Sequence, residues 1–445
     1  MNTNYSAYDI IESHGSDIQV CLYTPAHQGV SGKSEYFADQ IYAYDFPFLT
    51  RSKLIGVEKY FSGLYKTKHT FFLTGGATQG ILTACSLLAT KHRQVALGLN
   101  SHISVVHGLV LSGLEPFFIP SKSLMPTARE VIQALETDGK EVRALLLTHP
   151  SYEGLTTDMP AISKYCQERE IDLIIDEAHG SHFPFFQEEL NSALVDGADI
   201  VIHSLHKYVG SLVQTALLHI SKRSRITEEQ VTNALSLFEN TTRSNLLILS
   251  IEDSIQRAFG NEGKSLFLNA TQRCNELRNL LDSLGTVLNY EVKVTDPLKL
   301  LLYSDRATSN EIAELLLERG VDCEYSDETG VLLIFSFQNS EADFLHVAKA
   351  LEEINQIISR KEYRISVDEG YFSRQPLMRT IPRTAFFVNR KKLPLVQAKG
   401  RISCSCLKKV PPGIPLLIPG EEITDWHLQR LSPDTLVEVI EDYFL

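Results

Sequence analysis

The sequence predicts an α/β protein with a mostly parallel central sheet, followed by a smaller C-terminal α+β domain. From residue 71 onward, short apolar runs alternate with longer segments of helical periodicity. Several runs are apolar at nearly every position, as in strands that helices cover on both faces. The segments between them are long enough to be crossover helices, which join parallel strands. A chain of 445 residues also favours two domains over one.

Seven apolar runs are the predicted strands of the sheet. They cover residues 70–73, 94–97, 116–119, 143–148, 172–175, 199–203 and 215–220. Residues 79–91 and 161–169 have the length and pattern of crossover helices. In an open α/β sheet ligands bind beyond the carboxyl ends of the strands, so the residues that follow each run are the candidates for function.

The pattern changes after residue 235. Residues 246–285 contain no strand signal, and apolar side chains spaced by threes and fours along 266–284 form one face of a long helix that Gly285 ends. A strand at 298–303, a capping box from Thr308 to Glu311, a strand at 331–337 and a helix at 341–358 follow. The predicted division is an N-terminal arm over 1–65, a large domain over 66–295 and the small α+β domain over 296–445.

Composition and charge exclude several classes of protein. The formal net charge of −13 argues against nucleic acid or an anionic membrane surface as partner, because both attract clustered Lys and Arg. No apolar run approaches the roughly 20 residues that span a bilayer. The N-terminus has neither a basic region nor an apolar core, so we expect no signal peptide. These features predict a cytoplasmic protein.

The seven cysteines are scattered and odd in number. This pattern predicts buried thiols in a reducing compartment and not a disulfide framework. Cys404 and Cys406 form a lone C-x-C without a second pair, so we predict no metal site there.

A glycine-rich segment, TGGATQG at 74–80, follows the first strand and opens a helix. Small residues let the backbone approach a ligand closely, and the N–H groups at the start of a helix bind phosphate. Gly76, Ala77 and Thr78 are the candidates for such contacts. By itself the signal is weak, since Gly-Gly turns before helices are common.

Asp176 ends the apolar run IDLIID. A carboxylate at this place could be a metal ligand, a helix N-cap or the partner of a buried cation. His179 and His182 lie just beyond it and could form a metal pair, although no third ligand is obvious.

Lys207 follows the apolar run IVIHSLH and is preceded by Ser204 and His206. A lysine shielded from bulk water at a strand end holds a neutral, nucleophilic amine more readily. The alternative is a lysine whose stem lies along an apolar surface while its charge reaches water.

Together these residues indicate a site for pyridoxal 5′-phosphate (PLP). Such a site needs an amine for the Schiff base, an acid for the pyridinium nitrogen, a phosphate cradle and a group that packs on the ring. All four occur in one predicted α/β domain at strand ends. Along the chain the phosphate loop comes first, then the polar segment LNSHISVVHG at 99–108, which follows the strand at 94–97 and would supply the group on the ring, and then the acid and the lysine. Lys207 lies 31 positions after Asp176.

Four motifs carry a family resemblance. DEAHGSH at 176–182, followed by S-x-H-K at 204–207, and GRISC…VPPGIPLLIPGE at 400–421 resemble motifs of the bacterial ornithine/lysine/arginine decarboxylases, as do YTPAHQG at 23–29 and THPSYEG at 148–154. The resemblance covers nearly the whole chain and is to the shorter members, which lack an N-terminal wing domain. It implies a fold-type-I PLP enzyme, with the aspartate-aminotransferase-like fold, and a homodimer with the active site at its interface.

The resemblance also implies roles for individual residues. Lys207 would form the Schiff base, Asp176 would pair with the ring nitrogen and His102 would stack on the ring, which makes these three the implied catalytic residues. The implied cofactor contacts are these three with Gly76, Ala77, Thr78, Ala178, His179, Ser204 and His206.

The implied activity is PLP-dependent decarboxylation of arginine, lysine or ornithine to an amine of polyamine biosynthesis and CO₂. Arg383 and Arg401 are candidates for the substrate carboxylate, or else packing arginines, and Asp45 is a candidate for the distal cation. The sequence departs from the family where H-K-S reads His102-Ile103-Ser104 and where a phosphate-loop serine is Ala77. Two alternatives stay open: an aminotransferase or C–S lyase on the same fold, and a non-catalytic PLP-binding protein.

Overall fold

The computed structural model describes residues 20–22, 51–185, 190–241, 243–285, 287–360, 374–409 and 413–441. Most of the predicted N-terminal arm lies outside these residues, and so do YTPAHQG at 23–29, Asp45 and the residues Val410, Pro411 and Pro412. None of the helices in the described ranges is both long enough and apolar enough to cross a bilayer.

The strands and helices are numbered separately in chain order. The strands are β1 (Val20–Leu22), β2 (His69–Leu73), β3 (Gln94–Gly98), β4 (Glu115–Ile119), β5 (Ala144–Thr148), β6 (Asp172–Asp176), β7 (Ile200–Ser204), β8 (Ala216–Ile220), β9 (Asn289–Tyr290), β10 (Lys299–Tyr303), β11 (Val321–Cys323), β12 (Tyr325–Asp327), β13 (Gly330–Ile334), β14 (Arg390–Pro394), β15 (Leu407–Lys409), β16 (Ile414–Leu417) and β17 (Leu436–Ile440). The α-helices are α1 (Arg51–Leu64), α2 (Gly76–Ala89), α3 (Ile103–Ser112), α4 (Ala128–Thr137), α5 (Met159–Glu168), α6 (Ala193–Asp196), α7 (Leu205–Tyr208), α8 (Glu228–Leu235), α9 (Asn245–Phe259), α10 (Asn261–Leu284), α11 (Ser309–Leu317), α12 (Glu341–Ile358), α13 (Pro382–Phe386) and α14 (Asp425–Arg430).

The chain forms two compact units. The larger takes in the described residues between 51 and 205, between 212 and 252 and between 374 and 441. The smaller takes in residues 20–22 and 206–211 and the described residues between 253 and 360. The predicted domain boundaries after residues 65 and 295 remain a prediction.

A seven-stranded sheet is the centre of the larger unit. Its order is β2-β8-β7-β6-β5-β3-β4. Strand β8 runs antiparallel to both of its neighbours, and the other pairs are parallel. The prediction of a mostly parallel sheet is therefore confirmed, and each predicted strand agrees with the observed one to within a residue or so at either end. The carboxyl ends of β2 to β7 lie along one edge.

Both faces of this sheet are covered. Ile174 and Ile202 belong to an apolar cluster on one face, and their neighbours Ile175 and Val201 belong to a second cluster on the other. Because successive side chains of a strand point to opposite faces, a strand buried on both sides must be apolar throughout. This explains why the predicted strands show no polar alternation.

The C-terminal part of the larger unit is organised around a buried arginine. Arg374 donates to the Glu421 carboxylate at 2.9 Å and to the carbonyl oxygens of Leu416 at 2.8 Å and Pro415 at 3.4 Å. Its guanidinium lies 4.7 Å from the ring centroid of Trp426. These contacts fix the described part of the PPGIPLLIPGE motif. Glu421, the last residue of the motif, therefore has a structural role as the carboxylate partner of Arg374.

The smaller unit contains a four-stranded antiparallel sheet of order β12-β13-β10-β9, and β1 pairs in parallel with β11. The predicted capping box is present, since Thr308 and Glu311 bond each other's backbone N–H groups at the start of α11. Helix α12 has the predicted bounds. The predicted helical stretch at 246–285 is helical but divided into α9 and α10 at Gly260, and it ends at Gly285, whose φ is +87°.

Candidate active site

The loop between β2 and α2 forms a backbone cradle. Gly76 has a φ of +74°, a conformation that favours glycine, and its N–H donates to the carbonyl oxygen of Gln214 at 2.8 Å. A Cβ on Gly75 would lie 2.8 Å from Gln79 Oε1, which accepts the Gly75 N–H at 2.9 Å. Gly75 supplies no side-chain cap to α2, so the N–H groups of the first turn, which includes Ala77 and Thr78, suit an anion.

His102 lies between β3 and α3 and is the N-cap of α3. Its Nδ1 accepts the backbone N–H of Ser104 at 3.2 Å and lies 2.9 Å from Ser104 Oγ. Because Nδ1 accepts a backbone N–H, the hydrogen of the neutral ring is on Nε2. Ser104 thus fixes both the orientation and the tautomer of His102.

The C-terminal motif reaches His102 within the same unit. The Ile103 N–H donates to the carbonyl oxygen of Gly413 at 2.9 Å. Gly413 has a φ of +94°, and a Cβ there would lie 3.0 Å from His102 Nε2. Only glycine allows this approach, which gives the glycine of PPGIP a role that sequence reasoning did not find.

Asp176 is buried at the carboxyl end of β6, and its Oδ1 accepts the N–H of Ala178 at 3.1 Å. The carbonyl oxygen of Asp176 accepts the N–H of His149, which follows β5, at 3.0 Å. His179 is also buried, and its ring centroid lies 4.3 Å from that of Tyr152. Tyr152 belongs to the THPSYEG motif, so two motifs meet beside Asp176.

Ser204 ends β7, whose residue Ile202 lies opposite Asp176 in the parallel β6–β7 pair. Helix α7 follows directly and carries His206 and Lys207. Tyr208, the next residue, is fully buried. Within the smaller unit Lys299 Nζ lies 5.6 Å from the Tyr208 ring centroid and 3.4 Å from the Asp296 carboxylate, and both charged side chains are fully buried. The segment that carries Lys207 is therefore anchored at its next residue.

A buried polar network occupies the β6–β7 end of the sheet, and sequence reasoning missed it. Glu177 Oε2 accepts from Ser192 Oγ at 2.5 Å and from His203 Nε2 at 2.6 Å. Glu177 Oε1 accepts the N–H of Ala193 at 2.8 Å. His203 Nδ1 lies 3.1 Å from His219 Nε2. The available signal was a histidine in each of two otherwise apolar strands, IVIHS and ALLHI.

The charge of this network is set by its surroundings. Burial raises the pKa of Glu177, but hydrogen bonding and charge at His149 and His203 outweigh burial and lower that pKa to about 2. Burial and the neighbouring His203 lower the pKa of His219 well below its usual value. Glu177 is thus an ionised carboxylate inside the protein, and His219 is neutral.

The space for a side chain at Gly180, in the turn after Glu177, can be tested by substitution. A Cβ on Gly180 would lie 2.6 Å from Glu177 Cγ and 2.9 Å from Pro150 Cδ. We expect Gly180→Ala to lower the free energy of unfolding by about 1–3 kcal/mol, because overpacking forces neighbours apart. Chemical denaturation measures the change. The matched control is Gly56→Ala in α1, where a Cβ meets nothing within 4 Å. If Gly180→Ala is as stable as Gly56→Ala, the inference that Gly180 has no room for a Cβ beside Glu177 is wrong.

The structure places the sequence-predicted residues in consistent positions. Those of the larger unit all end or follow strands whose carboxyl ends share one edge of the sheet, namely Gly76, Ala77, Thr78, His102, Asp176, Ala178, His179 and Ser204. His206 and Lys207 come next along the chain after Ser204. Their individual roles remain predictions. Arg383 donates to the carbonyl oxygens of Val110 and Leu111 at the end of α3, which favours its reading as a packing arginine.

The described residues fit PLP. The positive φ of Gly76 favours glycine, a Cβ on Gly75 would crowd Gln79, and the start of α2 that follows suits a phosphate. A buried carboxylate ends β6 and a lysine follows β7, as the cofactor's chemistry requires. In the ranges that the structure describes, no set of three or more His, Cys, Asp and Glu side chains is arranged to hold a metal ion.

Fold and strand-end residues together define a PLP-dependent enzyme of fold type I. A sequence model of the Orn/Lys/Arg decarboxylase major domain matches residues 52–300, and one of the C-terminal domain of these enzymes matches residues 368–432. The chain belongs to the Orn/Lys/Arg decarboxylase family and is a PLP-dependent amino acid decarboxylase. The predicted family, fold class and cofactor are therefore confirmed.

Individual relatives agree with this assignment. An arginine decarboxylase of Bacillus subtilis (strain 168) is 30% identical over 384 residues, which are 82% of this chain and 77% of the relative. An arginine decarboxylase of Halalkalibacterium halodurans is 28% identical over 81% of this chain and 76% of the relative. The crystal structure of the Francisella novicida lysine decarboxylase LdcF superposes with a TM-score of 0.74 at 17% identity, covering 91% of this chain and 76% of that one.

Proposed function

We propose that the enzyme decarboxylates L-arginine to agmatine and CO₂. The observation that carries the substrate assignment is the 30% identity, over 82% of the chain, to a relative named arginine decarboxylase. Two further relatives at 28% identity carry the same name. The lysine decarboxylases among the solved structures are at most 18% identical, so they support the fold and do not favour lysine as substrate.

The chain's residues divide the work of binding and orientation. When bound, PLP supplies an electron sink for the pair released at the substrate Cα as CO₂ leaves. Asp176 would keep a proton on the pyridine nitrogen, and the Ala178 N–H orients the carboxylate by donating to its Oδ1. His102, held by Ser104, would pack on the ring. Gly76, Ala77 and Thr78 would bind the phosphate together with Ser204 and His206.

Lys207 has two tasks in this proposal. Its amine would hold the cofactor, and it is also the group that would return a proton to the substrate Cα. Burial of Tyr208 beside it limits the motion of the segment that carries the amine.

Product analysis tests the substrate. The purified protein is incubated with PLP and, separately, with L-arginine, L-lysine and L-ornithine, and the amines are identified by mass spectrometry. We expect agmatine from arginine, and cadaverine and putrescine only at much lower rates. Cadaverine as the main product would move the assignment to lysine. A protein that binds PLP and forms none of the three amines would favour the transaminase, C–S lyase or non-catalytic alternatives.

Three further features are proposed on the same basis. We propose a homodimer, as the family resemblance implies, which sedimentation equilibrium of the PLP-loaded protein tests directly. We propose a cytoplasmic location, which the cysteines support because the six with described side chains are all free thiols. Agmatine as product would place the enzyme in polyamine biosynthesis.

A further inference from the structure

Glu177 lies one residue beyond Asp176 but belongs to different surroundings. Side chains alternate along a strand, and Glu177 continues the face of Ile175 and Val201, whereas Asp176 continues the face of Ile174. The Glu177 side chain is fully buried. It therefore cannot share the position of Asp176 at a cofactor ring, and any effect on the site passes through the backbone.

Three groups from two separate segments donate to the Glu177 carboxylate. His203 belongs to β7, Ser192 is the N-cap of α6 and Ala193 is the first residue of that helix. The backbone N–H of Glu177 also donates to the carbonyl oxygen of Ile202 at 3.0 Å. With main chain and side chain both held, the peptide between Asp176 and Glu177 has one position.

The network extends across neighbouring strands. His203 on β7 contacts His219 on β8, and His219 Nδ1 lies 2.9 Å from Thr70 Oγ1 on β2. Thr70 Oγ1 in turn lies 2.8 Å from Thr67 Oγ1. An ionised carboxylate only accepts hydrogen bonds, so His203 Nε2 carries a hydrogen and donates it to Glu177. The Glu177 carboxylate therefore stands at one end of a chain of buried polar contacts that crosses β7, β8 and β2.

Such a network is not needed for stability alone. Burying a carboxylate is costly unless it is paired and bonded, and apolar replacements of buried ion pairs are often equally stable. A carboxylate with three donors does fix geometry more narrowly than apolar packing does. We propose that Glu177, with His203 and Ser192, is a positioning residue that fixes the orientation of the Asp176 carboxylate toward the cofactor. This inference rests on the proposed role of Asp176.

The primary test is Glu177→Gln. The amide has nearly the size of the carboxylate but turns one acceptor into a donor, so it cannot accept from Ser192, His203 and Ala193 together. We expect PLP affinity, measured by titration of the visible absorbance, to fall about tenfold or more, the lower end of the loss seen when ligands of metal sites lose an orienting partner. We also expect the visible circular dichroism of bound PLP, which reports ring orientation, to change in the same direction as in Asp176→Asn.

A matched control separates orientation from stability. Asp199 is a partly buried carboxylate that precedes β7, at the end of the sheet opposite the proposed site, where it accepts the Leu173 N–H at 2.9 Å. Asp199→Asn should lower the melting temperature of the PLP-free protein but leave PLP affinity and visible circular dichroism unchanged. Should Asp199→Asn impair PLP binding as much as Glu177→Gln, the effect is general destabilisation and the inference fails.

The remaining outcomes are also decisive. If Asp176→Asn alters PLP binding while Glu177→Gln binds PLP as the wild type does, the positioning role is overturned and the role of Asp176 stands. If Asp176→Asn itself has no effect, the proposed function of Asp176 and this inference both fall. If Glu177→Gln does not fold, Ser192→Ala replaces it, since it removes the 2.5 Å bond to Glu177 at the cost of one helix-cap bond from the Leu194 N–H. The same criteria then apply with a smaller expected change.

Discussion

Lys207→Ala should end covalent binding of PLP and lower the rate of amine formation by at least about 10²- to 10⁴-fold, the range of general acid–base contributions. Alanine supplies neither the amine that holds the cofactor nor a group that returns a proton to Cα. After gel filtration the variant should show no visible absorbance from bound PLP. In the wild type, borohydride reduction followed by peptide mass spectrometry should locate the cofactor on the peptide that contains Lys207.

The control for this result is Lys222→Ala. Lys222 is an exposed lysine shortly after β8, and its loss should leave absorbance, labelling and rate unchanged. If borohydride fixes PLP to a lysine other than Lys207, or if Lys207→Ala keeps the wild-type rate, the assignment of the lysine is wrong even though the family is not in question.

Asp176→Asn should reduce kcat by about 10²- to 10³-fold, the loss typical for one preorganised electrostatic contact. Asparagine keeps the shape and still offers an oxygen to the Ala178 N–H, so the turn after β6 should persist. The negative charge that stabilises a protonated ring nitrogen is lost, and electron withdrawal from Cα weakens. Steady-state kinetics at saturating PLP measures the effect separately from cofactor affinity.

The same strand offers a matched control for Asp176→Asn. Asp172 begins β6 at the opposite end, where its carboxylate lies 2.8 Å from His92 Nε2. Asp172→Asn makes the identical chemical change on the same strand, and we expect an unchanged kcat. A wild-type kcat in Asp176→Asn would mean that another group serves the ring nitrogen.

Local patterns made most of the fold predictable. A strand covered on both faces must be apolar throughout, so β5, β6 and β7 stand out in the sequence without knowledge of their neighbours. The capping box at Thr308 and Glu311 spans four residues, and its signal is complete within them. Asp176 and Lys207 were found because each follows such a strand. The prediction missed the division of the long helical stretch at Gly260, because a single glycine is tolerated inside a helix and does not by itself predict a break.

The missed parts depend on residues that are distant in the sequence. Glu177 and His203 lie 26 positions apart, and His203 and His219 lie 16 apart. A histidine in an apolar strand indicates that it has a polar partner, but the sequence does not show which residue that partner is. Gly413 has no side chain whose chemistry could suggest a partner. Its contact with His102 depends on the path of the C-terminal segment in the folded chain.

The apolar strands, the helix starts, the cofactor chemistry and the family were predictable from the amino-acid sequence, because each depends on a short segment or motif. The strand order, the antiparallel placement of β8 and the contact of Gly413 with His102 became known only from the folded chain. The fold also makes Glu177 an ionised, triply bonded carboxylate and not a surface glutamate. The physical reason is that burial and hydrogen bonding act through space, so the charge and orientation of a side chain depend on which strands lie beside it.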